Sequence, residues 1–337
     1  WWEKTASTPG AILGSSRRSL NRPDVQTALD ALLNLEIRYA FIIGGNDSAE
    51  TGLKLHSASI SAGIQLTTIN VPKTIDNDLV LTDHSPGYGS AARFVVLATM
   101  GAGRDAETMG KAAPITVIEV MGRDAGWLAA SAALAKHDDI DAPHVICVPE
   151  VPIEENRFLD LVEDAYRQYG FSVAVVAENT RGEHGVLGGE QQPVHIDDFG
   201  HRYYEGAGKY LSNAIACRLK IRTRYERPGT IQRSMIECVS KTDAQEAEMA
   251  GRAAVQAAIN GSAGQMIILV RQTSNPYNCT TDLAPLEQVA GKVQRLPPHY
   301  YDSKLYMPTQ QFMQYAHPLI GTSLPTFTRL DEHETTN

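Results

Sequence analysis

The residues best suited to chemistry lie in the run Pro72, Lys73, Thr74, Ile75, Asp76, Asn77, Asp78. Two carboxylates stand two residues apart, beside a lysine. Phosphoryl transfer needs a base to take a hydroxyl proton and cations to neutralise moving phosphate charge. Asp76 suits the base. Asp78 suits a magnesium ion, a hard cation that takes oxygen ligands. Lys73 suits a phosphate. A polar turn in which Asp and Asn cap their own backbone has the same composition. The run by itself leaves both readings open.

Four other clusters have the same double character. Gly44, Gly45, Asn46, Asp47 and Ser48 combine glycines that let a ligand approach the backbone with residues that open a helix. A plain strand-to-helix turn with an Asn, Asp or Ser cap reads equally well. In the segment 121–127, Arg123 offers a planar donor fork suited to phosphate. Pairing with Asp124 on the surface is the ordinary alternative. Arg233 follows Pro228, Gly229 and Gln232, and Arg17 and Arg18 follow a run of small residues. Each is an anion site or a simple basic loop.

The elements that must hold these clusters are short apolar runs alternating with helix-length segments. The runs fall at 39–43, 64–71, 115–120, 144–148 and 173–177, with helical stretches at 90–100 and 126–135. Strands separated by helices predict βαβ units and a parallel sheet. In such sheets ligands bind beyond the carboxyl ends of the strands. The polar clusters at 44–48, 72–78, 121–124 and 178–179 all fall at those ends. Residues 242–259 have the period of a scaffold helix. The tail from 296 onward has no clear period.

Residues 182–208 are polar and glycine-rich, and read as a long loop or lid. Glu183, His184, His195, Asp197, Asp198 and His201 lie there, but their spacing matches no standard metal-ligand pattern. They read as solvated loop residues. The chain has 337 residues, 43% of them hydrophobic, enough for two domains or one large one, either with a real core. Its net charge of −9 argues against a nucleic-acid partner while leaving room for a local basic pocket. The four cysteines, Cys147, Cys217, Cys238 and Cys279, form no C-x-x-C pair, so neither a zinc ribbon nor a disulfide framework is expected. No apolar run is long enough to span a bilayer, and no membrane partner is expected. A cytoplasmic protein is the expectation.

Taken in order, the segments resemble the phosphofructokinase family, and most of all its diphosphate-using members. The resemblance rests on LGSSRR at 13–18, GGNDS at 44–48, PKTIDND at 72–78 and PGYGSAARF at 86–94. MGRDAGW at 121–127, VPE at 148–150, AEN at 177–179 and PGTIQRS at 228–234 complete it. It implies an α/β fold of two similar Rossmann-like α/β/α domains with the active site in the cleft between them. The family's first strand and first phosphate loop are not found ahead of residue 13. It also implies a donor-binding domain at 1–88 plus about 232–290 and a fructose 6-phosphate domain at 89–231 plus about 291–337. The lid-like insertion falls in the second domain.

The activity implied is transfer of a phosphoryl group to the 1-hydroxyl of fructose 6-phosphate, with Mg2+ and in a homodimer or homotetramer. By resemblance, Asp76 is the base, with Thr74, Asp78 and Arg123 the other catalytic residues. Gly45, Asp47, Ser48, Lys73 and Arg17 face diphosphate. Thr74, Asp76, Met121, Gly122, Arg123, Glu178 and Arg233 hold the sugar phosphate, and Arg224 reaches it from a neighbouring subunit. Asn46, Asp47 and Asp78 hold the metal. Asp47 and Lys73 stand where ATP-using members differ, which favours diphosphate over ATP as donor. A carboxylate at 47 would repel the α-phosphate of a nucleotide. Three positions depart from the family pattern: Asn46 and Thr230 replace an acidic residue and a histidine, and Pro114 stands near where an arginine is common. An ATP-dependent kinase and a non-catalytic subunit are the alternatives.

Overall fold

A computed structural model describes residues 5, 8, 10–16, 19–188, 195–196, 200, 202–203, 206–321 and 323–329. The first helix, α1 (Arg22–Asn34), starts on a reciprocal cap. Asp24 N donates to Asn21 Oδ1, and Asn21 N donates back to the Asp24 carboxylate. Then come β1 (Tyr39–Gly44), α2 (Asn46–Ser61) and β2 (Thr67–Pro72). β1 and β2 pair in parallel from Tyr39 with Thr67 to Gly44 with Pro72. The strand expected over 64–71 thus begins later, because Gly63 and Ile64 finish the turn after α2.

Helix α3 (Tyr88–Met109) leads to the second sheet, built from β3 (Ile115–Val120), β4 (Val145–Cys147), β5 (Ser172–Ala177) and β6 (Thr223–Glu226). The strand order is β6-β3-β5-β4, with every pair parallel. Every residue of β3 and β5 is buried. A parallel sheet covered by helices on both faces requires that, and it is why these strands are near-continuous Val, Ile and Ala. The covering helices include α4 (Trp127–Ser131), α5 (Glu155–Tyr169) and α6 (Ala207–Leu219). α5 buries Phe158, Leu159, Val162 and Ala165 on one stripe and ends at Gly170, whose φ of +80° is the left-handed cap. The helix expected over 126–135 is α-helical only to Ser131 and continues as a 3-10 turn over Ala132–Ala135.

The chain then returns to the first sheet. α7 (Lys241–Ile259) precedes β7 (Gln265–Ser274) and β8 (Tyr277–Pro285), giving the order β1-β2-β7-β8. β7 joins β2 in parallel, and β8 runs antiparallel to β7. The sequence reading missed this hairpin. Exposed and half-buried positions alternate along β8, and its polar residues resemble loop composition. A short helix α8 (Leu286–Val289) follows, and α9 (Gln310–Ala316) lies in the tail that showed no period. Two α/β/α domains result, each with its own sheet.

α3 ties them together. Its Tyr88, Ala91, Val95 and Val96 are buried in the core of the second sheet. Its first turn is held by α7 of the other domain, where the buried Asp243 carboxylate accepts from Gly87 N at 2.7 Å and Ser90 N at 3.0 Å. Within the expected lid, the described residues form two-residue strand pairs at 181–182 with 185–186 and at 195–196 with 202–203. α6 begins before that stretch ends. Asp197, Asp198 and His201 lie outside the described residues. Among the described residues no helix is long and apolar enough to cross a membrane.

Candidate active site

The parallel register of β1 and β2 brings two of the polar clusters side by side. Both strands end at one level, and Lys73 N donates to Gly44 O at 3.1 Å. Gly44 must be glycine, since a Cβ there would lie 2.0 Å from Ser48 Oγ. Gly45 faces Thr74, whose Cβ would be 3.4 Å from an added one. α2 opens at Asn46 without a side-chain cap, and its N-terminus lies beside Thr74. Thr74 in turn organises its own loop. Its Oγ1 accepts from Asp76 N at 3.1 Å, and its N donates to Pro86 O.

The second sheet supplies the facing wall. Met121, just beyond β3, donates its N–H to Gln232 Oε1 at 3.2 Å. The buried Gln232 also donates from Nε2 to Gly229 O at 2.8 Å, so the turn that carries Arg233 is pinned to the end of β3. Gly122 has φ +116°, and a Cβ there would sit 2.7 Å from Ala125 O. The tight turn that presents Arg123 therefore needs glycine. The Glu150 carboxylate accepts from Gly126 N at 2.9 Å and Leu296 N at 2.8 Å. Gln294 N donates to Asp78 O at 2.7 Å while Gln294 O accepts from Trp127 Nε1 at 3.0 Å. The segment 294–296 thus straps the Asp78 loop of one domain to the loop after Arg123 in the other.

The charged groups of the two walls act on one another. Burial raises the Asp76 carboxyl above its ordinary range, with Arg123, Arg233 and Lys73 pulling it down and Asp124 pushing it up. Asp78 is pushed up to about 6 by burial and then by Asp76, against the Asn46 hydrogen bond. Glu178, at the end of β5, is raised to about 7 by burial and by Asp76, with Arg123 opposing. Its N–H donates to Val120 O, which keeps the ends of β3 and β5 level. Lys73, Asp76, Asp78, Arg123, Glu178 and Arg233 are therefore one electrostatic cluster at the facing carboxyl ends of two sheets.

Two buried polar atoms in that cluster find no hydrogen-bond partner among the described residues. One is Arg123 Nη1, a donor suited to an oxyanion; the other is Asn46 Oδ1, an acceptor suited to a cation. Nine other buried side-chain atoms among the described residues are likewise unmet, so these two count for the site through their neighbours Asp78 and Asp76.

Two predicted residues stand apart. Arg17 lies outside the described residues. Arg224 pairs with Asp105 and lines a different pocket, of about 410 Å³, with Lys209, Arg222 and Tyr225. Among the described residues no group of three or more His, Cys, Asp or Glu is placed to hold a metal, and this includes Glu183 and His184. The sequence reading missed Gln232, Glu150 and Gln294 as organisers of the site. Gln232 was visible as Arg233's neighbour. Its bond to Met121 spans 111 residues, and no local pattern reports that.

Fold and site together define a phosphotransferase of the two-domain α/β kind. Residues 2–258 match the Phosphofructokinase family, and the chain belongs to that family. It is 35% identical over 327 residues to pyrophosphate–fructose 6-phosphate 1-phosphotransferase of Halomonas elongata, covering 95% of this chain and 78% of that protein. The crystal structure of the pyrophosphate-dependent phosphofructokinase of Nitrosospira multiformis superposes with a TM-score of 0.86 at 30% identity, covering 97% of this chain and 78% of that one. That of Marinobacter aquaeolei gives 0.83 at 31%, covering 97% and 77%.

Proposed function

We propose that the protein transfers a phosphoryl group from diphosphate to the 1-hydroxyl of fructose 6-phosphate, giving fructose 1,6-bisphosphate and phosphate, in a reaction that runs both ways. The observation that carries this reading is the placement of Asp76. It is a half-buried carboxylate that feels Arg123, Arg233 and Lys73, just past the end of β2. The pyrophosphate-dependent enzymes it resembles over most of its length support the donor.

In this reading Asp76 takes the proton of the 1-hydroxyl. The freed oxygen attacks the terminal phosphorus, the bridging P–O bond breaks, and phosphate leaves with the bond's electrons. Asp76 is suited to this because burial makes it a stronger base than an exposed carboxylate. Arg123, with its unmet Nη1, stabilises the charge on the moving phosphoryl group. Thr74 fixes Asp76 through its backbone and faces the Gly45 turn. Glu178 receives sugar hydroxyls, the turn at Met121 and Gly122 shapes the sugar pocket, and Arg233 holds the 6-phosphate. Lys73, Gly45, Asp47 and Ser48 line the diphosphate side at the open start of α2.

The residues present fit a magnesium ion. Asp78 offers a carboxylate, and Asn46, which donates to it from Nδ2 at 2.7 Å, carries an Oδ1 without a partner. Magnesium is commonly held by one or two protein oxygens, with substrate phosphates and waters completing the shell. When bound it neutralises phosphate charge; Asp78, Asn46 and Asp47 would hold it. The first sheet and its flanks, 1–88 with about 232–290, bind the donor, and the remainder binds the sugar. Arg224 lies away from the cluster, which fits a role at a neighbouring subunit's site within a homodimer or homotetramer.

The test is a coupled assay with diphosphate or ATP as the only donor. Turnover with diphosphate alone is expected. Robust turnover confined to ATP would overturn the donor assignment.

A further inference from the structure

Between the two acidic residues of the candidate site stands one that the reading above does not use. Asn77 is 1% exposed, whereas Asp76 and Asp78 on either side are part-open to the cleft. Its φ is +55°, in the left-handed region. A residue with a Cβ is disfavoured in that conformation, though Asn tolerates it better than most. Glycine would adopt it freely, so what Asn adds is its side chain. That side chain is fully engaged: Asn77 Oδ1 accepts from Ser85 N at 3.0 Å and Nδ2 donates to Tyr315 Oη at 2.9 Å.

Tyr315 is 238 residues away and is itself fixed at three points. Its hydroxyl donates to Asp83 O at 2.9 Å. Its carbonyl accepts from Arg271 Nη1 at 3.0 Å, and the same guanidinium lies 4.5 Å over its ring. Arg271 also grips the Asp83 carboxylate through Nε and Nη2. Behind it, His84 bridges Asp83 at 2.8 Å and Glu246 of α7 at 2.6 Å. The far end of the Asn77 bond is therefore a buried ionic cluster joined to β7, α7 and α9. We propose that Asn77 and Tyr315 are positioning residues for phosphoryl transfer, forming a tether that sets where Asp76 and Asp78 stand in the cleft.

The proposal rests on Asp76 being the base. Neither tether residue touches the reacting atoms in that reading. They act through the backbone of a three-residue stretch whose middle side chain points into the core while its outer two serve the site. A catalytic carboxylate must be held to within a fraction of an ångström for proton transfer to be efficient. Thr74 restrains the stretch from the N-terminal side and Gln294 from Asp78 onward. Asn77 supplies the restraint at its centre.

The variants that isolate the tether are Tyr315→Phe and Asn77→Gly. The first keeps the ring packed against Trp127 at 5.3 Å and Tyr300 at 5.4 Å but loses the hydroxyl. The second keeps the left-handed backbone and loses the side chain. For each, kcat per folded molecule, the KM for both substrates, the acid limb of the kcat profile and the melting temperature would be measured, with Asp76→Asn alongside. We expect kcat to fall about 10–100-fold in both, with either KM changed less than about threefold and the acid limb displaced. The double variant should be no slower than the worse single, since both remove one link. A merely structural role would lower the melting temperature and leave kcat per folded molecule and the acid limb where they were; that result would overturn the tether. Retention of activity by Asp76→Asn would instead remove the base on which the tether acts. Loss in Asp76→Asn with none in Tyr315→Phe or Asn77→Gly would sink the tether alone.

Discussion

Asn46 Nδ2 donates to Asp78 Oδ2 at 2.7 Å while Asn46 Oδ1 is buried without a partner. One end of the amide thus steadies the acidic residue, and the other is an oxygen left without a partner beside it. A carboxylate at 46 would add a third acidic group beside Asp76 and Asp78, both already raised by burial. The amide gives a metal ligand without that repulsion. Asn46→Ala should remove both contributions. We expect the magnesium concentration for half-maximal rate to rise about tenfold, equivalent to about 1.4 kcal/mol. Titration of the rate with Mg2+ at saturating substrates checks this, and an unchanged midpoint would exclude Asn46 from the metal's shell.

Asp76→Asn should lower the forward rate by about 10²–10⁴-fold, the usual worth of a positioned base. The amide keeps the shape and the backbone bond to Thr74 Oγ1, so folding should survive. The loss belongs in kcat with little change in either KM. A steady-state comparison of variant and parent decides it.

Much of the site was legible because its residues cluster in sequence at strand ends. Lys73 through Asp78 and Gly44 through Ser48 each follow an apolar run directly, buried in β2 and alternately exposed in β1, and the parallel register of the two strands places them together. Glu178 and Arg123 were reachable in the same way, from the ends of β5 and β3. What could not be read are the bonds that hold these loops at a fixed separation. Glu150 to Leu296 spans 146 residues, and Asn77 to Tyr315 spans 238. Such pairs leave no periodic trace. The β7–β8 hairpin escaped for a different reason, since β8 alternates half-exposed and exposed positions rather than forming an apolar run.

Gln232 offers a test of that hidden layer. It is 2% exposed and joins Met121 N to Gly229 O, so it fixes the distance between the end of β3 and Arg233. Gln232→Ala leaves Met121 N without its acceptor and frees the turn. The KM for fructose 6-phosphate should rise about tenfold, whereas the KM for diphosphate should stay within about twofold, on the scale of 1.4 kcal/mol per decade. Equal weakening toward both substrates would show that the turn serves the whole cleft rather than the sugar side.

Site acidity also has a stability consequence. Asp78 and Glu178 are raised by burial to about 6 and about 7 from ordinary values near 4. A carboxyl that binds its proton more tightly when folded favours the folded state at low pH. Its contribution is fully present below the unfolded pKa and is lost as pH rises through the folded one. The ligand-free protein should therefore lose stability from these two groups between about pH 4 and 7, and change little from them above that. Asp78→Asn should flatten this slope and raise the melting temperature near pH 8 by a few degrees, while lowering activity. Thermal unfolding across that range is the measurement. A steeper slope in the variant would mean that Asp78 is not the group under strain.

In the proposed function donor choice is assigned to Asp47, in the first turn of α2, and Lys73, just past β2. Asp47 lies in the first turn of α2, where backbone N–H groups would otherwise meet an anion. A nucleotide would have to bring its α-phosphate close to that carboxylate, a like-charge contact strengthened by the low dielectric of a closed cleft. Diphosphate has no α-phosphate and no nucleoside to bring there. Lys73, next to Thr74, offers the leaving phosphate a point charge. Replacing both by glycine should therefore reduce kcat/KM for diphosphate by about 10–100-fold, the loss of one to two charge-assisted contacts. ATP should at the same time become a measurable donor, since the repulsion at 47 is gone. Unchanged use of diphosphate in a folded double variant would show that the donor is selected elsewhere in the cleft. Loss of diphosphate turnover with no gain toward ATP would assign Lys73 the binding role and leave Asp47 without the excluding one.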